Sequence, residues 1–256
     1  SATEIFLALG LEQKMVGMAY LDNNVLPRFQ SEFERIPLLA DRYPSLEVLL
    51  SVNPDFVYGF KSAFSPPKGP ATLERLEELG ITGYGDRMFY EGNMTLEDVY
   101  EEIIKLGKIF RVEPRSRAVV RSLKKEIDQA LKVIPPSTPI RRVAVYDSGR
   151  DNIFTAGPNL LTDMIEKAGG KNVFKDDLDK SWARMSWENL VEENPDVIVI
   201  HDYGEQSAEE KINFLLKKDG LKTVEAIKNE RFVVIPLTSA FIGIRNPIGV
   251  RKLVEG

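Results

Sequence analysis

Ser45-Leu46-Glu47-Val48-Leu49-Leu50-Ser51-Val52-Asn53-Pro54-Asp55-Phe56 and Ser186-Trp187-Glu188-Asn189-Leu190-Val191-Glu192-Glu193-Asn194-Pro195-Asp196-Val197 are two versions of one pattern. At the constant offset from Ser45 to Ser186, 141 residues, a serine, a glutamate, a leucine and the whole Asn-Pro-Asp triplet coincide. A serine N-cap followed by an acid in the first turn starts a helix, and proline stops it. The apolar stretches Phe56 to Tyr58 and Val197 to Ile200 then follow at once, so each copy predicts helix, tight turn and buried strand.

A weaker echo surrounds the pair. Thr3-Glu4-Ile5 with Ala8-Leu9-Gly10 and Met15-Val16 parallels Thr162-Asp163-Met164 with Lys167-Ala168-Gly169 and Val173-Phe174. Each reads as an amphipathic helix closed by glycine and followed by an apolar stretch. A period this long excludes a solenoid and points to duplication of a lobe.

Between the halves, Thr95 to Phe110 carries apolar residues at helical spacing, and Pro114 to Ile134 continues as a second helix of about 20 residues and roughly 30 Å. Pro135-Pro136-Ser137-Thr138-Pro139 ends it. Strands at Arg142 to Tyr146 and Phe232 to Ile235, and a helix at Thr72 to Leu79, complete the alternation. The fold class expected is therefore α/β: two Rossmann-like lobes with parallel sheets, residues 1–113 and 137–256, joined by a single long α-helix at 114–136.

Composition narrows function. With 43% hydrophobic and 29% charged residues in 256, the chain is an ordinary globular one. Its 34 basic and 39 acidic residues leave a charge of −5, a poor footprint for a nucleic-acid binder. No apolar run reaches the 18 or so residues of a membrane span. The sequence has no cysteine and one histidine, His201, which excludes thiolate chemistry and multi-histidine metal sites.

In parallel sheets ligands sit beyond the carboxyl ends of strands. Those ends carry Phe60 and Lys61 after the first strand of the repeat, and His201, Asp202 and Tyr203 after its partner. Asp147 and Arg150 follow Arg142 to Tyr146, and Phe241 follows Phe232 to Ile235. The segments entering the repeated helices add Arg42-Tyr43 and, at the matching place, Trp182-Ala183-Arg184. With Tyr20, Arg87 and Arg245, these aromatics and guanidinium groups suit walls for a large, partly apolar, negatively charged ligand. The ordinary reading of each residue alone is a solvated loop side chain.

His201 beside Asp202 reads first as a hydrogen-bonded strand-end residue, and second as a base or a metal or haem ligand. Trp187, opposite Leu46 in the repeat, reads as core, as does Tyr100. Gly83-Tyr84-Gly85-Asp86-Arg87 lacks the third glycine of a dinucleotide loop, and no phosphate-cradling GK[ST] loop occurs. Asp176-Asp177-Leu178-Asp179 lacks the glycine and glutamate of a calcium loop.

Taken together, Ser1-Ala2-Thr3-Glu4-Ile5 with Ala8-Leu9-Gly10 and Val16-Gly17, Pro37-Leu38-Leu39, both Asn-Pro-Asp copies, Leu79-Gly80-Ile81, Ala156-Gly157 and Ala168-Gly169-Gly170-Lys171-Asn172-Val173-Phe174 resemble the substrate-binding proteins of iron-complex ABC importers. The resemblance runs through nearly the whole chain. It implies two lobes bridged by one rigid helix around a shallow cleft, and a monomer that captures an iron complex and hands it to a transmembrane permease. It implies an extracytoplasmic place, periplasmic or lipid-anchored, with both ends of the chain shortened relative to the family. Ferric siderophore, haem and cobalamin are the ligands it implies, in that order here, with no resident cofactor and no catalytic residue. In the family one surface glutamate per lobe meets permease arginines; Glu74, and Glu209 or Glu210, are the candidates.

Two other classes stand beside this reading. An enzyme on a two-lobed scaffold, such as a glycosyltransferase, needs a phosphate loop, a G-x-S-x-G elbow or an acid/base pair, and none stands out. A surface interaction module would hold another protein with the same aromatics.

Overall fold

The computed structural model describes residues 2–21, 24–86 and 93–256. The chain divides into two compact units: Ser1–Glu91 with Asp98–Arg121 and Ile242–Ile244, and Gly92–Glu97 with Ser122–Phe241 and Arg245–Gly256. The helix that opens on Pro114 spans Glu113–Leu131, 19 residues, and the division falls within it. It ends short of the expected Ile134, whose amide bonds back only to the Leu131 carbonyl, a tightened closing turn.

The repeat folds alike in both units. Ser45 Oγ accepts from the Val48 amide at 3.2 Å to start helix Leu46–Ser51, and Ser186 Oγ accepts from the Asn189 amide at 3.4 Å to start Trp187–Glu193. Each helix gives way to an asparagine in the left-handed region, Asn53 at φ 47° and Asn194 at φ 40°. Asparagine tolerates that conformation better than other side-chain-bearing residues, and the proline after it prevents the helix from resuming.

In the first unit, β1 (Met18–Ala19) pairs parallel with β2 (Leu38–Ala40), and β3 (Phe56–Gly59) pairs parallel with β4 (Thr82–Gly85). The expected burial of Phe56 to Tyr58 is only partial. Tyr58 and Tyr84 face each other in register, their rings 5.8 Å apart and 14° from parallel. Burial, with Asp86 and Glu102 adding to it, pushes the Tyr58 phenol well up. Helix Leu96–Ile109 meets helix Glu113–Leu131 where Gly107 faces Ser116, and only glycine fits: a Cβ there would lie 2.1 Å from Ser116 Oγ.

The second unit is built on β5 (Arg141–Tyr146), β7 (Gly170–Asn172), β9 (Val197–Asp202) and β10 (Phe232–Pro236), all parallel in the spatial order β10-β9-β5-β7. Alternate residues feed two cores, as period-2 strands must when both faces are covered. Ala144, Tyr146, Ile198 and Ile200 pack on one face with Trp187, Leu190 and Leu215; Val143, Val145, Val197, Val199, Val233 and Ile235 pack on the other with Leu161 and Ile165. Trp187 is 6% exposed and Tyr100 is buried, as expected of core residues.

Three details differ from the sequence expectation. β9 runs on through His201 and Asp202, because Ile235 and Pro236 continue the pairing. The strand Phe232 to Pro236 leads straight into a short helix, Leu237–Ala240, rather than a loop. Trp182-Ala183-Arg184 is also no loop: β8 (Trp182–Met185) pairs antiparallel with β6 (Ile153–Ala156), adding a two-stranded ribbon to the expected parallel sheets. Its four-residue strands alternate too briefly to stand out against loop sequence.

Candidate functional site

Strand register assembles the site of the second unit. Tyr146 lies opposite Ile200, so the next residue on each strand brings Asp147 against His201, 54 positions apart in the chain. The imidazole Nδ1 and Asp147 Oδ1 lie 2.7 Å apart; His201 is 0% and Asp147 2% exposed. The other carboxylate oxygen accepts from Ser148 Oγ at 2.9 Å and from the Tyr203 hydroxyl at 3.2 Å. Buried Lys211 donates from Nζ to the carbonyls of His201 at 2.6 Å and Tyr203 at 3.1 Å, fixing the end of β9. Its burial pulls the ammonium pKa down, with Asp147 and Asp202 opposing.

Alternation along β9 turns the His201 ring away from the Ile200 face, toward Trp182 and Phe241. The rings of Trp182 and His201 are 5.3 Å apart and 8° from parallel, those of His201 and Phe241 5.8 Å and 8°, and those of Trp182 and Phe241 6.3 Å and 4°. A three-deep stack at roughly 3.5 Å per layer would separate its outer rings by about 7 Å, more than any of these distances, so two of the rings share a layer. The exposures say which: His201 is wholly covered, whereas Trp182 and Phe241 stay half-buried. The apolar rings face outward and the imidazole backs them.

The ribbon extends this wall. Phe154 stacks on Trp182 at 5.9 Å, and the exposed Arg184, two residues along β8 and hence on the same side, lies over Phe154 with its guanidinium carbon 5.6 Å from the ring. Asn246 Nδ2 donates to the carbonyls of Ser239 at 3.1 Å and Phe241 at 2.9 Å, holding the segment that carries Phe241. Asp147, Trp182, Arg184, Tyr203 and Phe241, expected separately, thus come together. Arg150 is exposed at the far side of the same turn; its carbonyl accepts from Trp187 Nε1, and Tyr146, whose phenol burial raises to about 12, feels its charge. Gly149, at φ +102°, makes that turn, since a Cβ would meet the Asn152 carbonyl at 2.1 Å. Arg245 is the half-buried N-cap residue of helix Asn246–Glu255.

In the first unit Tyr20, Arg42 and Tyr43 form a second cluster. Arg42 donates to the Tyr20 hydroxyl at 2.8 Å and lies over its ring, the two tyrosine rings are 4.7 Å apart, and Tyr43 shares a 2.5 Å hydrogen bond with Ser62. Phe60 is the N-cap of the turn Lys61–Phe64, in which Lys61 is exposed and Ser62 is that partner. Arg87 lies outside the described residues. Glu74 opens helix Leu73–Glu78, where backbone amide and Thr72 hydroxyl hold its carboxyl below the usual range. Glu209 is exposed, whereas Glu210 is engaged: Ser207 donates to it from its amide at 2.8 Å and its hydroxyl at 3.2 Å, closing a capping box.

Three participants escape simple motif reading. Phe154 sits on the ribbon that was not foreseen. Lys211 stands four positions before Leu215 on the buried stripe of helix Ala208–Lys217, and a lysine on an apolar stripe is the signal that marks it. His201, read first as an ordinary strand-end residue, is the wholly buried centre of the cluster. Among the described residues no three histidine, aspartate or glutamate side chains converge as a metal site, and Asp176 instead lies 3.8 Å from Lys171. No described helix is long and apolar enough to cross a membrane.

The periplasmic binding protein family profile matches residues 1–237. The chain is 31% identical to a periplasmic binding protein from Veillonella parvula, with a TM-score of 0.92 over 99% of this chain and 87% of that one. An ABC-type Fe3+-hydroxamate transport system protein from Saccharomonospora viridis shares 22% identity at TM-score 0.83, covering 100% and 89% of the two chains. A periplasmic heme-binding protein from a Roseiflexus species shares 23% at TM-score 0.76, covering 99% and 94%. Among proteins of curated function none matches.

Proposed function

The chain belongs to the periplasmic binding protein family, and from that premise we propose that it captures an iron complex, most readily a ferric siderophore, and delivers it to an ABC-importer permease. The family binds solutes outside the cytoplasm and is not one of enzymes, so capture rather than turnover is the activity to account for.

The observation that carries the ligand reading is the wall running from Arg184 over Phe154 and Trp182 to Phe241, backed by the Asp147–His201 pair. Half-exposed rings supply contact area at low entropic cost, and a guanidinium on their edge supplies planar hydrogen bonds to the anionic oxygens of a chelate. The Tyr20, Arg42 and Tyr43 cluster of the first unit repeats that chemistry. Haem is the second reading, favoured by the near-parallel setting of Trp182 and Phe241. Cobalamin is third. For docking we assign Glu74 and Glu209, since the Glu210 carboxylate is committed to its cap. An extracytoplasmic place, periplasmic or lipid-anchored, and a monomeric state complete the proposal.

Tryptophan fluorescence tests it. The chain has two tryptophans, of which Trp187 is core and Trp182 lies in the wall. Titration with ferric catecholates, ferric hydroxamates, haem and cobalamin is expected to give saturable quenching at submicromolar concentration by one class, lost in Arg184→Ala. Silence from all four on demonstrably folded protein contradicts the proposal.

A further inference from the structure

We infer that His201 is a specificity-determining residue: Asp147 fixes its imidazole as the Nδ1–H tautomer, so that Nε2 is an obligate acceptor for one N–H or O–H donor of the bound chelate. The inference rests on the reading above, that the wall of the second unit holds the ligand.

Three donors converge on Asp147: His201 at 2.7 Å, Ser148 at 2.9 Å and Tyr203 at 3.2 Å. Ser148 Oγ and the Tyr203 hydroxyl supply protons to one oxygen, and an ionised carboxylate only accepts, so the proton of the third bond sits on Nδ1. Nε2 is buried and has no hydrogen-bond partner among the described residues. A proton there would be a buried donor with no acceptor, on a residue whose backbone carbonyl already receives the Lys211 ammonium. The geometry therefore leaves a lone pair at Nε2.

A purely structural role is poorly served by such a group. Trp182 and Phe241 pack against the imidazole face to face, and a phenylalanine would fill that place without burying a carboxylate, an imidazole and an ammonium together. The covering rings are only half-buried, and Tyr203, 39% exposed with its ring 5.2 Å from the imidazole, borders the same place. The acceptor thus lies one ring's depth below an aromatic wall. Because the acceptor is covered, a chelate donor reaches it by turning aside the exposed Tyr203 ring or the half-buried Phe241 ring that borders it; chelates that bring such a donor gain a bond, and chelates that lack one gain nothing there.

The single histidine makes the test direct, because 15N-labelled protein yields one pair of ring nitrogens. In the ligand-free protein near neutral pH, the spectrum is expected to show a protonated Nδ1 and an unprotonated Nε2. Diamagnetic probes then serve: gallium(III) complexes of a tris-catecholate, a tris-hydroxamate and protoporphyrin, and cobalamin itself. The probe that binds is expected to shift Nε2 as a new hydrogen bond does, and to bind His201→Phe about ten- to a hundredfold more weakly. A protonated Nε2 in the free protein overturns the inference, as does saturable binding that leaves Nε2 unmoved or leaves the His201→Phe dissociation constant unchanged. The spectra are read on the unaltered chain, so a variant that fails to fold does not spoil them. Binding without an Nε2 response removes this inference alone; absence of binding by every probe removes the proposed function with it.

Discussion

Replacing Asp147 by alanine strips the acceptor from a wholly buried imidazole N–H, and the structure sets the size of the effect. Of the three bonds lost, two come from Ser148, half-buried, and Tyr203, exposed, whose hydroxyls regain water at little net cost. The third comes from His201, 0% exposed, whose Nδ1–H would have no replacement in reach, a loss of about 1–3 kcal/mol. His201→Phe removes the donor instead and leaves the carboxylate its two hydroxyls, which sets its loss at about 1–2 kcal/mol once the apolar ring has repacked behind Trp182 and Phe241. If the two side chains stabilise the unit through each other, the double variant recovers about 1–2 kcal/mol of the summed losses. Urea unfolding followed by circular dichroism on the four proteins measures this. Losses that add to within about 0.5 kcal/mol would refute the buried pair as the organising contact of the site.

Other perturbations probe the fold independently. Asn53→Ala, at φ 47°, is expected to cost about 1 kcal/mol of stability while Asn53→Gly is near neutral, measured by the same unfolding. Gly107→Ala drives a methyl to 2.1 Å from Ser116 Oγ and is expected to lose about 1–3 kcal/mol, read as a lowered urea midpoint. The Tyr146 phenol, raised to about 12 by burial, keeps its proton longer in the folded chain than the roughly 10 of an unfolded tyrosine. Unfolding therefore releases a proton in that window and stability falls as pH rises through it; Tyr146→Phe is expected to flatten the fall between pH 10 and 12 in alkaline unfolding curves.

Much of the fold was legible because its signals are local. The serine caps, the Asn-Pro-Asp turns and the near-continuous apolar strands each dictate structure within a few residues, and the second unit's sheet follows them. The site was legible only as an inventory of residues at strand ends. That Asp147 meets His201 depends on the register of β5 against β9, a relation between segments 54 residues apart that no local pattern encodes. The ribbon of β6 and β8 escaped for a related reason: four-residue strands acquire their identity from the partner, so Trp182 reads as loop, and Phe154 carries no signal, until pairing stacks them. Arg184 and Trp182 stand out in the sequence for their chemistry, and β8 sets them on one face. Glu210, unlike Glu209, stands in an S-x-x-E spacing with Ser207, a local signal for the capping box that the structure forms.

The most direct test of the central claim is a calorimetric titration of the chelate that quenches Trp182 fluorescence, run on the unaltered protein and on Trp182→Phe and Arg184→Ala. A receptor that reads its ligand with this wall binds one chelate class at one-to-one stoichiometry and weakens about tenfold or more in each variant, the equivalent of about 1.4 kcal/mol apiece. One-to-one binding with the same dissociation constant in all three proteins would place the ligand elsewhere and contradict the account.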